Sequence, residues 1–407
     1  ASLFSGVLPL FVVGHFAHHL MNALPVPLLP FIRSEFGLDY TQSGLVISAF
    51  NMSYGASQPP AGWFSDRIGP RIMVGIGICG VGIAGLLVGL SKTYIMMIVC
   101  LALMGVMGGG YHPSAPPMIS ASVAPEQRGQ ALGLHFIGSS FSFFLAPLMA
   151  AGIAAAWGWR GAFVSLSFPA IIIGIVLYVL LGRWVSAKNA RSRTAIGPAA
   201  AAPAVPGRVR RLTALIALNT MLQSLTHSIV AFIPLFLVDH FGTSNETAAA
   251  SISLVYSAGF WAGLLGGYLS DRWGRVPVIL AASILSGPAV YLLNLAPGGL
   301  AFSAVLVGIG ISVYGRQPVS EAYIVEHTSQ RNLSTVLGIY YFGSMEGGGI
   351  MAPLLGYLID SFGFNQSFTI ISGAMLAVTL VCAVLLRDSR YYDHPRDQTL
   401  TAEVGKA

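Results

Sequence analysis

The composition of this chain of 407 residues excludes an ordinary soluble domain. Hydrophobic residues make up 55% of the sequence and charged residues only 9%, whereas soluble domains carry roughly a quarter charged residues. The net charge of +6 is concentrated in loops, as membrane topology requires, and does not indicate a nucleic-acid partner. The lipid bilayer is therefore the expected solvent of most of the chain.

Twelve apolar segments have the length that a membrane-spanning helix needs, about 20 residues. Backbone polar groups must be paired in hydrocarbon, and the short alternating segments of a barrel are absent, so these segments are predicted to be helices. The fold class is all-α integral membrane with twelve transmembrane helices. The predicted spans are 5–30, 41–62, 72–90, 94–120, 129–156, 162–184, 212–238, 248–268, 277–295, 299–324, 333–359 and 366–387.

The basic residues predict the topology. Of the 21 Lys and Arg residues, all but Arg33, Lys92, Arg160 and Arg316 lie in the tail and loops that share one side of twelve spans. The positive-inside rule places that side, with both termini, in the cytoplasm of a multi-pass cell-membrane protein, in a bacterium the inner membrane. The predicted divisions are an N-terminal six-helix bundle at 1–184, a cytoplasmic linker at 185–211, a C-terminal six-helix bundle at 212–387 and a cytoplasmic tail at 388–407.

A short pattern occurs twice in the chain. Residues 62–71 read GWFSDRIGPR and residues 267–275 read GYLSDRWGR, at an offset of 205. The same offset relates LGLHFIGS at 132–139 to LGIYYFGS at 337–344. The chain is therefore predicted to contain two pseudo-symmetric halves. Such repeats suit alternating access, in which two bundles rock about a site near the membrane midplane.

The doubled loop resembles the signature of the major facilitator superfamily of secondary transporters, and the resemblance extends over nearly the whole chain. In that family the loop aspartate caps the cytoplasmic end of a helix in the opposite half, which would be worth roughly 0.3–1 kcal/mol. The alternative is that these are solvated surface charges. The predicted gating residues are Asp66, Arg67, Arg71, Arg128, Asp271, Arg272, Arg275 and Arg331.

Two further features bear on the direction of transport. The Tyr111-His112-Pro113 step, with His18 and His19 upstream, resembles the fosmidomycin-resistance subgroup of the superfamily, whose members export drugs or small molecules. The fifth span also has the small-residue spacing of the family's antiporter signature, around Pro147. A similar arrangement recurs in the eleventh span, so close helix packing in both halves explains it equally well.

Ionisable groups inside apolar spans are costly in lipid and indicate functional sites. Arg316 lies in the tenth span and Glu346 in the eleventh, and the family's arrangement implies that Arg316 faces the central cavity with Glu346 close enough to pair. Burial and a neighbouring guanidinium have opposite effects on a carboxyl group. We therefore expect Glu346, together with His135, to couple proton movement. A static ion pair that locks two helices is the alternative.

Histidines form a second group of candidates, because a cavity histidine can bind anions, relay protons or hold a metal ion. Helical spacing places His15 and His19 on one face of the first span and His18 and Asn22 on another. These side chains cannot all point at one ligand, and we predict no metal site. The predicted substrate-binding residues are Arg316, His112, Tyr111, His18, His19, Asn22, His227, Gln317 and Tyr341.

The features together predict a secondary active transporter of a small organic, anionic solute, coupled to protons, with export slightly favoured. Uptake of a carboxylate-type nutrient by proton symport and transport of a metal cation by the histidines are the alternatives. The sequence GxxxxGK[ST] does not occur, so ATP does not drive transport within this chain. We expect no enzymatic activity and no cofactor. The expected state is a monomer whose partners are the solute, protons and lipid.

Overall fold

The computed structural model describes residues 6–124, 127–189, 208–328 and 333–386, and these ranges are helical apart from turns and short connections. Part of the predicted linker and the whole predicted tail lie outside the described residues. The helices are α1 Leu8–Asn22, α2 Pro25–Phe36, α3 Tyr40–Ile68, α4 Pro70–Gly89, α5 Tyr94–Gly108, α6 Tyr111–Ser122, α7 Arg128–Asn189, α8 Arg208–Phe241, α9 Asn245–Ser257, α10 Ala262–Trp273, α11 Arg275–Tyr291, α12 Leu300–His327 and α13 Leu333–Leu385.

Every predicted span corresponds to described helix, which confirms the all-α fold class. The first, fourth and eighth spans are each interrupted and are built from two helices, as where Pro25 starts α2 directly after the end of α1. The helices α7 and α13 each contain two spans joined at a non-helical glycine, Gly158 and Gly363. By length and composition alone, eight segments of the described chain could cross a membrane.

The duplication is visible in the backbone as well as in the sequence. Three pairs of glycines, each 205 positions apart, adopt nearly the same positive φ angle, which residues with a Cβ atom rarely tolerate. They occupy the ends of helices or the break within a long helix. The pairs are Gly37 and Gly242 at 62° and 63°, Gly69 and Gly274 at 99° and 88°, and Gly158 and Gly363 at 69° and 75°.

The chain is divided into two compact units. The first unit consists of Ala1–Ile196, Ser228–Tyr256 and Gly348–Ser361. In it, α7 packs along α1 and α4, around an apolar core that includes Phe11 and Ile78. The second unit consists of Gly197–His227, Ser257–Gly347 and Phe362–Ala407, and in it α12 packs against α10 and α11.

Close backbone approach positions helices within each unit. In the first unit, a Cβ atom at Gly138 of α7 would collide with the Val12 carbonyl oxygen of α1. In the second unit, Gly266 of α10 packs directly on the backbone of Gly315 in α12. Because apolar lipid gives helices no hydrophobic reason to associate, such small-residue contacts and the van der Waals packing they allow hold the helices together. His135 lies about one helical turn before Gly138, and Arg316 directly follows Gly315. These helix contacts therefore also fix the positions of His135 and Arg316.

Candidate substrate site

Five histidines of the first unit lie together, and we call them the histidine cluster. Helix α1 supplies three of them, α6 one and α7 one. Four of the five are buried, with no more than 7% of the residue exposed. Neighbouring ring centroids lie 3.9 to 5.8 Å apart, so the rings pack against one another. The members are His15, His18, His19, His112 and His135.

His18 has a defined tautomer. Its Nδ1 lies 3.2 Å from the carbonyl oxygen of Gly77, which can only accept, so this nitrogen carries the proton. The Nε2 atom therefore accepts hydrogen bonds from the Tyr54 hydroxyl at 3.1 Å and from the Asn22 amide at 3.0 Å. The Asn22 Oδ1 atom is then left buried without a hydrogen-bond partner among the described residues. This network connects α1, α3 and α4.

Tyr111 and His135 form a second link. The Tyr111 hydroxyl donates to the Phe11 carbonyl oxygen at 3.1 Å and lies 3.0 Å from His135 Nε2. Because the hydroxyl has one proton, His135 Nε2 donates the proton of the second bond. His15 Nδ1 lies 2.9 Å from the backbone carbonyl oxygen of His135 and must also be protonated. In neutral rings, His15 Nε2 and His135 Nδ1 therefore present lone pairs, and neither atom has a partner within the described ranges.

His19 and His112 are joined through their Nε2 atoms, which lie 3.2 Å apart. The His19 Nδ1 atom is buried and has no partner among the residues that the structure describes. Potential ligand nitrogens of His15, His19 and His112 all lie within 4.8 Å of one another. No metal site is predicted here from the sequence, because helical spacing spreads the polar side chains of α1 over two faces. His18, which lies on the other face, is not part of this group of three.

The second unit contains a buried arginine, Arg316. It lies on α12 and is only 2% exposed. Its Nη1 atom has no hydrogen-bond partner among the described side chains. His227 of α8 and Tyr340 of α13 interact with it electrostatically. His227 is also held by Gln223, with 2.7 Å between their Nε2 atoms.

The remaining predicted residues of this unit are placed only in part. Gln317 donates to Glu321 Oε1 at 3.3 Å, one helical turn further along α12. The side chains of Tyr341 and Glu346 lie outside the described residues, so the pairing of Glu346 with Arg316 stays a prediction. Tyr340, which interacts with Arg316, is not among the binding residues predicted from the sequence. Its offset of 205 from His135 was the available signal.

The first copy of the doubled loop is stabilised mainly by stacking. The Arg67 guanidinium lies 3.4 Å from the ring centroid of Trp63. Arg71 stacks on Tyr178 at 4.0 Å and donates to the Tyr178 carbonyl oxygen at 2.9 Å. Asp66 is exposed. These contacts join α3, α4 and α7 within the first unit.

The second copy contains ion pairs. Arg275 lies 2.7 Å from Asp271 and 2.9 Å from Glu326, so it connects the loop to the end of α12. Arg272 stacks on Tyr268 at 4.3 Å. The predicted gating function of these residues stays a prediction, and Arg331 and the side chain of Arg128 lie outside the described residues.

A group of charged and polar residues of the first unit was not predicted from the sequence. We call it the polar clamp, and its members are Arg33, Tyr40, Thr41, Asp239 and Asp360. Asp239 Oδ2 accepts from Arg33 Nη1 at 2.7 Å and from the Tyr40 hydroxyl at 2.6 Å. Asp360 accepts from the Tyr40 and Thr41 amides at 3.0 and 2.9 Å and from Thr41 Oγ1 at 2.6 Å. The two aspartates come directly after the predicted seventh and eleventh spans. That position was a signal that could have identified them.

A duplicated bundle of membrane-spanning helices with buried polar side chains in each unit is the architecture of a secondary transporter. The sequence model of the Major Facilitator Superfamily matches residues 11–263 and 212–404. The chain belongs to this family. It is therefore a multi-pass membrane transporter of a small organic solute and not an enzyme.

Individual proteins of known name resemble the chain over nearly its whole length. It is 25% identical over 396 residues to the Fosmidomycin resistance protein of Escherichia coli (strain K12), covering 95% of this chain and 94% of that protein. It is 27% identical to the Probable sulfoacetate transporter SauU of Cupriavidus necator, with 91% and 90% covered. A solved bacterial homologue of the human lysosomal transporter Spinster, in an inward-facing and unoccupied conformation, has the same fold, with a TM-score of 0.74, 15% identity and coverage of 95% and 96%.

Proposed function

We propose that the chain is a proton-coupled secondary transporter of a small organic anion, with export slightly favoured over uptake. The observation that carries the proposal is the guanidinium of Arg316, which is 2% exposed and has an Nη1 atom without a partner among the described side chains. Burying a charge without compensation costs several kcal/mol, on the order of the effective penalty for an ion in a protein interior. A carboxylate, sulfonate or phosphonate group of the solute would supply acceptor atoms to this guanidinium, in exchange with Glu346, its predicted partner within the chain.

The arginine suits such a ligand better than a lysine would. Its planar fork can donate two parallel hydrogen bonds to one anionic group, and it stays charged under all physiological conditions. The similarity to a relative named for sulfoacetate transport supports an anionic solute. The similarity to the Fosmidomycin resistance protein supports export. Uptake by proton symport remains the competing direction, because the same arginine would bind an incoming anion equally well.

Glu346 is the proposed proton carrier. It lies within α13, in the stretch that follows Tyr340, and a carboxyl group near a buried guanidinium can exchange its proton when an anion neutralises that guanidinium. His135 is the second proposed coupling residue, with its Nε2 directed at the Tyr111 hydroxyl. The other predicted binding residues are likewise proposed to contact the solute, and they are His18, His19, His112, Asn22, Tyr111, His227, Gln317 and Tyr341.

The polar clamp supports transport by alternating access. It connects α2 and α3 to the ends of α8 and α13, which belong to opposite halves of the sequence but to the same unit. We propose that this contact exists when the site is closed on the clamp side and opens when the site faces the other way. The doubled loop, with Asp66 and Asp271, would serve as the latch of the opposite state. Both termini would be cytoplasmic in a monomer of the bacterial inner membrane.

Reconstitution in proteoliposomes tests the proposal. Vesicles with a pH gradient of either sign are offered radiolabelled sulfoacetate and fosmidomycin, and the initial rate of solute movement gives substrate and direction together. The sign of the pH gradient that drives accumulation of the solute separates the two mechanisms. In antiport the solute and protons move in opposite directions, and in symport they move in the same direction. Equal rates with and without a gradient would refute proton coupling, and a rate no greater than that of protein-free vesicles for every anion would refute the anionic substrate.

Variants assign the roles. Arg316→Gln should weaken anion binding by about 30-fold or more, because losing one member of a buried charge pair costs roughly 2–5 kcal/mol. Arg160→Gln is the matched control, since that arginine is 31% exposed in its pair with Glu35 and should leave binding unchanged. Glu346→Gln should keep anion exchange while abolishing gradient-driven accumulation. Full gradient-driven transport by Glu346→Gln would show that the proton is carried elsewhere.

A second candidate function is transport of a metal cation, and one observation favours it. The three imidazoles of His15, His19 and His112 present nitrogens within 4.8 Å of one another. Uptake of zinc or cobalt into the same vesicles distinguishes this candidate from the first, because Arg316→Gln should not reduce it.

A further inference from the structure

The unpaired atoms of the histidine cluster are mostly acceptors. His15 Nε2 presents a lone pair because its Nδ1 proton is used by the His135 carbonyl oxygen, and Asn22 Oδ1 can only accept. Both atoms are buried without a partner within the described ranges. An acceptor buried without a donor costs about 1–3 kcal/mol. A ligand that pairs with these two atoms would bring a positive charge or hydrogen-bond donors.

The distances within the cluster suit a metal ion. The Nε2 atoms of His19 and His112 are 3.2 Å apart. Two imidazole nitrogens at about 2.0–2.1 Å from a tetrahedral ion lie about 3.3 Å apart, so this pair already has the required spacing. The potential ligand nitrogens of His15, His19 and His112 all lie within 4.8 Å of one another, so His15 lies beside the same position.

His15 is also oriented as a metal ligand. Ligating histidines usually donate their second ring N–H to a carbonyl or carboxylate, which fixes the tautomer and the ring plane. His15 does this with the His135 carbonyl oxygen at 2.9 Å. Its ring is further held by stacking on the His135 ring, with centroids 3.9 Å apart. The free Nε2 atom is thus directed by the protein before any ion arrives.

We propose that His15, His19 and His112 form a binding site for one divalent transition metal ion. Imidazole nitrogens suit zinc, cobalt, nickel and copper, whereas magnesium and calcium require oxygen ligands. Among the described residues, this group of potential ligands consists of the three histidines and contains no carboxylate. Three protein ligands leave one coordination position open. The Nε2 proton that joins His19 and His112 would move to the Nδ1 atom of the same ring, which would free both Nε2 lone pairs for the ion. This inference does not rest on anion transport, because it uses residues of the first unit alone.

Metal binding by the purified protein tests the inference. Full-length protein carrying an affinity tag without histidines is stripped with a chelator and titrated with Co²⁺, whose visible absorption reports tetrahedral coordination. Expected are one ion per chain, competition by Zn²⁺, and a loss of affinity of at least about tenfold in His112→Ala, the size of effect seen for ligand-sphere changes. His227→Ala is the control, because that histidine lies in the second unit and pairs with Gln223.

Each outcome decides the inference. Wild-type protein that binds no stoichiometric Co²⁺ overturns it, as does an affinity that falls equally in the two variants. X-ray absorption at the zinc edge of wild-type protein should show three imidazole ligands, and fewer than three would also overturn the inference. That measurement applies even when His112→Ala does not fold. Anion transport is assayed separately, so a failure of one proposal does not obscure the other.

Discussion

Replacing Asp360 with alanine should open the polar clamp without unfolding the protein. Its carboxylate accepts three hydrogen bonds at the start of α3, from the Tyr40 and Thr41 amides and from the Thr41 hydroxyl, at 2.6 to 3.0 Å. The first amides of a helix have no partner within the helix, and a carboxylate placed there also gains from the helix dipole. Asp360 belongs to α13, so this cap exists only while α3 and α13 remain in contact.

The magnitude follows from the bonds lost. Removing a capping side chain costs about 0.5–2 kcal/mol, and the exposed position of Asp360 places the value near the middle of that range. A change of about 1 kcal/mol shifts a two-state ratio roughly fivefold. In the proposed cycle the cap is made in one state only, so the whole change is expected to appear in the conformational equilibrium.

Spin labels measure that equilibrium. Cysteines are introduced at the exposed positions Lys92 and Ser361, after the three native cysteines are replaced, and the distance distribution is recorded by pulsed electron paramagnetic resonance in nanodiscs. The wild-type chain should show a short-distance population that corresponds to the closed clamp. Asp360→Ala should raise the ratio of long to short distances about fivefold.

Asp39 provides a matched control on the same helix. Its carboxylate accepts from the Gln42 amide at 2.6 Å, and the Gln42 side chain returns a bond to the Asp39 amide at 3.1 Å. This capping box lies within the first turn of α3, so its formation does not depend on contact between α3 and α13. Asp39→Ala should lower thermal stability and leave the distance ratio unchanged. An unchanged ratio in Asp360→Ala, or an equal shift in both variants, would refute the conformational role of the clamp.

Two predictions concern stability. Desolvation tends to raise the pKa of Glu35, but hydrogen bonds from Arg160 and Trp159 outweigh it and hold that pKa below its usual value. The stabilisation is therefore present at neutral pH and is lost as the pH falls through the lowered pKa, so the melting temperatures of wild type and Glu35→Gln should converge in acid. Because the Glu35 side chain is 43% exposed, the difference in stability between the two proteins at neutral pH should be below about 1 kcal/mol. Gly158→Ala should destabilise the protein by roughly 1–3 kcal/mol, because φ is 69° at this position. Gly133→Ala is the control and should not destabilise the protein, because there is open space around its Cβ position. Equal melting temperatures for these two variants would contradict the backbone argument.

Much of the fold could be predicted because its signals are local. A run of about 20 apolar residues is sufficient to predict a spanning helix, whatever its neighbours are. The repeated Gly69 and Gly274 were recognisable as a pair before their φ angles were known, because a tight loop between two helices requires the same residue in both halves. Tyr111 and His112 were also predicted to belong with the α1 histidines, and the structure places these residues close together.

The polar clamp and the details of the histidine cluster could not be predicted in the same way. Tyr40 and Asp360 are 320 positions apart, and His15 and His135 are 120 apart. No periodicity in the chain relates residues at such separations. Helical spacing showed that His15 and His19 share a face, but it could not show that His112 approaches the same face from another helix.

The sequence by itself determined the class of protein, the number of spans and the duplication, because lipid imposes the same length and polarity on every spanning segment. The tertiary structure decided which polar side chains are buried. In the sequence, Arg316 and His15 are no different in polarity from the solvated residues of the loops. Only the packing of helices around them buries Arg316 Nη1 and His15 Nε2 without a partner among the described residues, and this loss of hydration is the physical basis of the two proposed binding sites.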